Sequence, residues 1–282
     1  MVEILKPGFF TTIQDLGRKG YAQYGVPVSG AMDNYSARFA NAILNNKECA
    51  AVLEMTMTGC ALKFNIPTQI ALAGGTLKAV LNGSPIELYK PISIKKGDIL
   101  ECAAIIKGFR TYLAIKHGFK TETYLGSRSF YQPITEKRQL LKGDMLPVES
   151  YKSNNISQHA QLKFKDDVIT SKTLEAFQGP EFKMLVEEVK SQLLSHSFTV
   201  GALNNSMGYQ LNESLKPHSK SILTGPVLPG TVQWTPSGQL IVLMRDCQTT
   251  GGYPRILHLT EYAINCLSQK RTGDVFSFIL KE

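Results

Sequence analysis

The pattern that most limits the fold is a series of short β-type runs separated by turn residues. Asn82-Gly83 sits between two such runs, one ending at Leu81 and one starting at Ser84. Asn-Gly in that setting signals a tight hairpin, because both turn residues have to accept positive φ. Gly74-Gly75 predicts a break in the first run. The stretch 92–104 predicts another hairpin, turned at Gly97-Asp98, and 109–118 a further strand. Residues 230–247 read as a strand, a turn at Pro236-Ser237-Gly238 and an apolar strand. This style repeats. The Gly-Thr strand and tight turn after Gly75 return after Gly230, and the Gly97-Asp98 turn into a strand returns at Gly273-Asp274. Many short strands with few helices predict barrels or a sandwich. The expected fold is mainly β, with two barrel-like units related by a weak internal repeat.

Three helices are expected. Asp33 can cap the first by accepting from free backbone N–H groups. Tyr35, Phe39, Ile43 and Leu44 then supply a 3.6-residue stripe, and Asn45-Asn46 can end it. A second helix fits Glu181 to Leu194 and a third Glu261 to Ser268. The polar, patternless stretch Glu149 to Ala160 is the linker candidate, giving units at 1–155 and 156–282. The N-terminal segment is a candidate to pack on the second unit.

Composition excludes several classes. With 43% apolar and 19% charged residues the chain is globular, and 282 residues are enough for a sizeable core. No apolar run reaches the roughly 20 residues that cross a bilayer. The opening residues lack a signal-peptide pattern, so a cytoplasmic protein is expected. The five cysteines are scattered without a Cys-x-x-Cys, which argues against a disulfide framework or zinc site. The five histidines form no ligand-spaced cluster, so no metal is expected. A net charge of +8 is spread over dispersed lysines. It reads as a solvated surface, or as a basic face for an acidic partner or anionic nucleotide, with no nucleic-acid motif.

Two polar segments stand out. The first holds Gln14, Asp15 and Arg18, followed by Gly20, Gly25 and Gly30, then Asp33 and Ser36. Asp15 and Arg18 read either as a pair that staples a turn or as a carboxylate and guanidinium facing a cleft. Arginine suits carboxylate or phosphate because its fork donates two parallel hydrogen bonds. The second segment is Asp246, Cys247, Gln248, Thr249, Thr250, Gly251, Gly252 and Tyr253, after an apolar strand. Polar residues at a buried strand end, with glycines behind them, read as a binding loop or as a structured bend. Cys247 reads as a packed or lining residue rather than a nucleophile, since the nearest base in sequence, His258, lies in a strand or helix entry. Asn204 to Tyr209 and Gly126 to Ser129 are further candidates. Arg128 between two serines reads as an anion contact or a surface ion pair. No Walker, GxGxxG, GxSxG or HExxH motif occurs.

In order along the chain, these motifs resemble the KipA family, also called allophanate hydrolase subunit 2-like or biotin-dependent carboxyltransferase-like. The carrying stretches are 11–41, 125–131, 204–211 and 230–254, and the resemblance covers nearly the whole chain. It implies cyclophilin-like β-barrel units. It implies a role as the C-type subunit of ATP-dependent 5-oxoprolinase, with two partner subunits, one KipI-like (B-type) and one LamB/YcsF-like (A-type). MgATP would be a co-substrate of that complex. No biotinyl-lysine motif is present, so no biotin is attached to this chain. In this reading Asp15, Arg18 and Asp246 are the expected catalytic residues. Gln14, Asp33, Ser36, Arg128, Asn205, Gln233, Gln248, Thr249, Thr250, Gly251 and Tyr253 are the expected substrate- or nucleotide-binding residues. The chain departs from the family pattern at Ser206 and Gln210, where arginines are usual, and at Cys247. The alternatives are a urea or allophanate carboxyltransfer module, and a regulatory protein that antagonises a KipI-like kinase inhibitor. The two polar segments are expected to face one cleft.

Overall fold

A computed structural model describes residues 1–151 and 162–281. Most of the predicted linker lies outside the described residues. The chain divides into unit 1, Met1–Arg18 with Asp33–Asp166, and unit 2, Lys19–Met32 with Asp167–Glu282.

Unit 1 holds β1 (Val2–Lys6), β2 (Phe10–Gln14), α1 (Asn34–Ile43), β3 (Val52–Thr56), β4 (Ala61–Phe64) and β5 (Thr68–Leu81). It continues with β6 (Ser84–Ile86), β7 (Ile92–Ile94), β8 (Ile99–Ile115) and β9 (Met145–Leu146). These strands form one sheet in the order β2-β3-β8-β4-β1-β9, with β5 along β8. The predicted hairpin is present: Leu81 pairs with Ser84, and Asn82 and Gly83 take φ of 50° and 81°. Two expectations change. Gly74-Gly75 does not end a strand, because β5 runs through it with a register shift. A Cβ on Gly74 would lie 2.8 Å from the Arg110 carbonyl, so a glycine bulge lets the two long strands stay close. The turn at Gly97-Asp98 forms, but β7 pairs with β5 and β8 pairs with β4 and β5. A turn signal fixes a chain reversal, not the strand that receives each partner.

The α1 cap is as predicted: the Asp33 carboxylate accepts from the Ser36 backbone N–H at 2.9 Å. It also accepts from the Ser36 hydroxyl, and both side chains are fully buried. The unit 1 core gathers Val2, Ile13, Leu53, Phe64, Leu113 and Phe119.

Unit 2 holds α2 (Asp167–Thr170), β10 (Thr173–Gln178), α3 (Glu187–Ser195), β11 (Ser197–Asn204), β12 (Gly208–Ser214) and β13 (Gly225–Pro226). It continues with β14 (Thr231–Trp234), β15 (Gln239–Leu243), β16 (Thr250–Gly251), β17 (Arg255–Leu259), α4 (Glu261–Ser268) and β18 (Val275–Leu280). Seven strands close a barrel in the order β10-β17-β14-β15-β12-β11-β18, sealed by a parallel β18–β10 pair. Closure leaves no sheet edge open. Inside lie Val200, Leu211, Val232, Val242, Phe276 and Phe278, all at most 1% exposed. Residues of α4 match the prediction, with Thr260 as cap. The predicted helix 181–194 is instead a 3₁₀ turn at Phe182–Met184 followed by α3. Phe182 and Leu185 are buried while Val186 is exposed, so the apolar stripe splits at extended Leu185 and Val186. Glu187 and Glu188 then favour a fresh helix start beside the free N–H groups.

The repeat has a structural counterpart in its turns. Lys95 N–H donates to the Asp98 carboxylate, and Arg271 N–H donates to that of Asp274, each at 2.8 Å. The intervening Gly97 and Gly273 have φ of 95° and 90°. No helix among the described residues is long and apolar enough to cross a membrane.

Candidate functional site

In unit 1, Asp15 follows β2 and is held by a distant loop. Its carboxylate accepts from the hydroxyls of Ser127 and Ser129 at 2.6 and 2.7 Å. It also accepts from the backbone N–H groups of Arg128 and Gly17 at 2.7 and 2.8 Å. Asp15 N–H in turn donates to the Ser129 hydroxyl. Arg18 is 1% exposed and donates through Nη2 to the Ser129 carbonyl. Gln14 donates to the Thr12 hydroxyl and more weakly to the Phe130 carbonyl. Gln14, Asp15, Arg18 and Arg128 thus meet in one cluster. An ionised carboxylate with this many donors is a strong local fastener.

In unit 2 the site grows from strand register. Gln210 on β12 faces Ile241 on β15, and Ile241 faces Gln233 on β14. The next row, Tyr209–Val242–Val232, is fully buried inside the barrel. Side chains alternate along strands, so Gln210, Ile241 and Gln233 point away from the barrel interior. The segment after β15 covers this outer face. Asp246 N–H donates to the Ser206 carbonyl and Met244 N–H to that of Met207, tying it to the Asn205 loop. The Asn205 side chain accepts from Met207 and Gly208 N–H, fixing that loop as an Asx turn. β16 pairs with β13, and Val227 N–H donates to the Thr249 carbonyl.

Between these parts lies an open cleft of about 270 Å³. Its polar lining is Asn205, Gln210, Gln233, Gln248 and Tyr253, and the remaining lining residues are apolar or glycine. Four of those five are among the binding residues expected from sequence. Ile241 is visible in sequence only as part of an apolar strand, and its outward position follows from the alternation against Leu240 and Val242. Gln233 is 2% exposed, and its Nε2 has no hydrogen-bond partner, while its Oε1 accepts from Gln248 at 3.5 Å. A buried donor left unmatched is destabilising by about 1–3 kcal/mol. A Cβ on Gly251 would lie 2.4 Å from Gln233 Nε2, so glycine there leaves room for the amide.

The neighbouring arginines are paired with acids, although the buried Arg245 Nε has no hydrogen-bond partner. Arg245 bonds Glu261 at 2.6 and 3.1 Å and Asn265 at 3.2 Å. Its carbonyl accepts from Ser29 N–H at 2.9 Å. Arg255 grips Glu181 through Nε and Nη2 at 2.9 and 2.7 Å. That fork holds the Glu181 carboxyl below its ordinary value. Cys247 is buried against Val227 and Leu243. Burial, then the nearby Asp246, pushes its thiol up to about 12, so it is protonated at neutral pH and a poor nucleophile. Among the described residues, no group of three or more His, Cys, Asp or Glu is placed to hold a metal ion.

The closed barrel and the polar loop over its outer face both lie in the part of the chain that matches a carboxyltransferase family. The family model for the carboxyltransferase domain, subdomains A and B, matches residues 24–280, and the chain belongs to that family. It is 31% identical over 285 residues to the 5-oxoprolinase C subunit of Escherichia coli (strain K12), covering 99% of this chain and 91% of that one. It is 45% identical over 130 residues to the urea amidolyase of Lachancea kluyveri, covering 46% of this chain and 7% of that one. The crystal structure of the K. lactis urea amidolyase superposes with a TM-score of 0.89 at 28% identity, covering 100% of this chain and 19% of that one. The chain therefore spans most of the length of the 5-oxoprolinase relative and a small part of the urea amidolyases.

Proposed function

We propose that this chain is the C-type subunit of an ATP-dependent 5-oxoprolinase, a cytoplasmic enzyme that opens 5-oxo-L-proline to L-glutamate. It works with a KipI-like and a LamB/YcsF-like partner. The observation that supports this most is the match to a named 5-oxoprolinase C subunit over 99% of this chain and 91% of the relative. The five-membered amide resists hydrolysis, and ATP coupling overcomes this by phosphorylating the amide oxygen so that water can attack the ring carbon. The unit 2 cleft offers neutral amide donors and apolar walls, which suit the lactam rather than the phosphates. MgATP is a co-substrate of the assembled complex. Asp15, Arg18 and Asp246 are the charged groups whose part in the reaction substitution has to decide.

The higher local identity to urea amidolyase favours a second reading, a carboxyltransfer module supplied with biotin by another chain. One assay separates the two. The chain is co-expressed with the KipI-like and LamB/YcsF-like proteins, the complex is isolated by size exclusion, and glutamate release from 5-oxoproline is followed with and without ATP. ATP-dependent glutamate release supports the proposal. Separate migration of the three proteins at micromolar concentration, or consumption of urea but not 5-oxoproline, refutes it.

A further inference from the structure

We infer that one end of the unit 1 sheet, around Phe9, Met57 and Ile106, is a docking surface for a partner protein whose apolar surface is bordered by carboxylates. The proposed function enters only through the choice of the probe proteins.

Three observations support it. First, three large apolar side chains are exposed next to one another. Phe10 pairs with Thr56, which brings Phe9 to Met57, and the Phe9 N–H donates to the Thr58 hydroxyl. Met57 N–H donates to the Phe109 carbonyl at 3.0 Å, and the Met57 carbonyl accepts from Ile105 N–H at 2.9 Å. One residue thus bonds both positions 105 and 109 of β8, so 106–108 bulge out of the ladder and carry Ile106 with them. Phe9, Met57 and Ile106 are 64%, 43% and 64% exposed, and the exposed Ala103 and Ala104 continue the patch along β8. A contiguous apolar patch of this kind marks an interaction site, unlike single exposed residues. Second, the backbone beneath it is fixed. Met57 is held at a φ of 63°, which is costly for a bulky residue. Gly8 packs so closely that a Cβ there would lie 2.6 Å from the Gly59 carbonyl. A surface held in place before binding loses little entropy when a partner arrives. Third, the border is cationic. Lys107 follows Ile106, and Lys6 pairs with Ala61 at the end of β1. Lys78 lies between buried Leu77 and Ala79, which pair with Ile105 and Cys102, so it stands on the outer face of β5. All three lysines are exposed, and none forms an ion pair among the described residues. Glu101 is the only acid in β8. An apolar centre with a cationic border complements an apolar surface bordered by carboxylates. A second copy of this chain fits poorly, since it would bring the same lysines, and a net charge of +8, against this border.

The test is calorimetric titration of the full chain with the KipI-like and the LamB/YcsF-like protein, joined to hydrogen exchange of the wild-type chain with and without each. The expected result is binding by one of the two, with slowed exchange at residues 57–59 and 103–108. Ile106→Glu is expected to weaken that binding by about tenfold or more, as for loss of an apolar anchor. Lys107→Glu is expected to weaken it several-fold and to reduce its sensitivity to salt. Leu223→Glu, at a side chain 93% exposed in unit 2, is expected to leave the affinity unchanged. No binding by either protein, binding without slowed exchange at these residues, or unchanged affinity in Ile106→Glu each overturns the inference. A homodimer of the chain alone that Ile106→Glu splits, or adsorption to phosphatidylserine vesicles that slows exchange at the same residues when neither protein does, also overturns it. The wild-type exchange decides even if a variant misfolds. Docking through this patch in a complex that does not open 5-oxoproline would leave the inference standing and remove the proposed function. A complex that opens 5-oxoproline and assembles at the wild-type affinity with Ile106→Glu would do the reverse.

Discussion

Two glycine-containing polar segments each follow a β-strand in this chain, and the buried polar groups at their centres, the Asp15 carboxylate and the Gln233 amide that the second segment covers, end in opposite states, although Gln14 Oε1 in the first is also unmatched. After β2, the Asp15 carboxylate accepts four hydrogen bonds, from Gly17, Ser127, Arg128 and Ser129. After β15, the loop to Tyr253 covers an amide whose donor is unmatched. Polarity at a strand end is therefore not itself a sign of a binding site. What marks Asp15 as a fastener is that its carboxylate is fully matched within the fold.

The largest expected effect lies on the fastener side. Asp15→Ala removes the acceptor of four donors and should lower stability by about 3 kcal/mol. Urea unfolding measures it. A loss below about 0.5 kcal/mol would erase the contrast between the two loops.

This contrast was only partly legible in sequence. The residues of both loops could be picked out, because glycines, amides and charges cluster there. Their states could not, since three of the four donors to Asp15 lie 112 to 114 residues away. Local chemistry was legible wherever a turn or cap is self-contained. Asn82-Gly83, the Asp33 cap and the α4 boundaries all follow from a few adjacent residues. Pairing was not. β7 joins β5 rather than β8, and the row Gln210–Ile241–Gln233 exists only once three strands are aligned. The split of helix 181–194 was hidden because Phe182, Leu185, Val186 and Val189 fit one helical stripe, although Val186 is 55% exposed.

On the site side, Gly251→Ala sharpens the comparison. The added methyl meets the far end of a flexible side chain, so stability should change by less than about 1 kcal/mol. Urea unfolding checks this, and a loss as large as that of Asp15→Ala would remove the contrast.

A smaller effect is expected from pH. The Arg255 fork lowers the Glu181 carboxyl below its ordinary 4.5. A depressed acid contributes stability above its unfolded value and loses it as pH falls through the folded value. Stability should therefore decline as pH drops below about 4.5, and Glu181→Gln should flatten part of that decline. Parallel urea midpoints for both proteins check this, and identical slopes would rule it out. The mildest effect concerns the thiols. Cys49 is exposed, whereas Cys247 is buried with its thiol pushed up to about 12. Alkylation at pH 8 followed by peptide mapping should label Cys49 well before Cys247. The opposite order would restore Cys247 as a nucleophile candidate.

The most direct measurement is kcat/KM for 5-oxoproline in the assembled complex carrying Gln248→Ala, with complex assembly and the urea midpoint verified. A cleft that binds the lactam, with the exposed Gln248 in its lining, requires a loss of at least tenfold, about 1.4 kcal/mol, at an unchanged midpoint. A kcat/KM equal to that of the wild-type complex would show that the lining amide is a feature of the fold and not of the site.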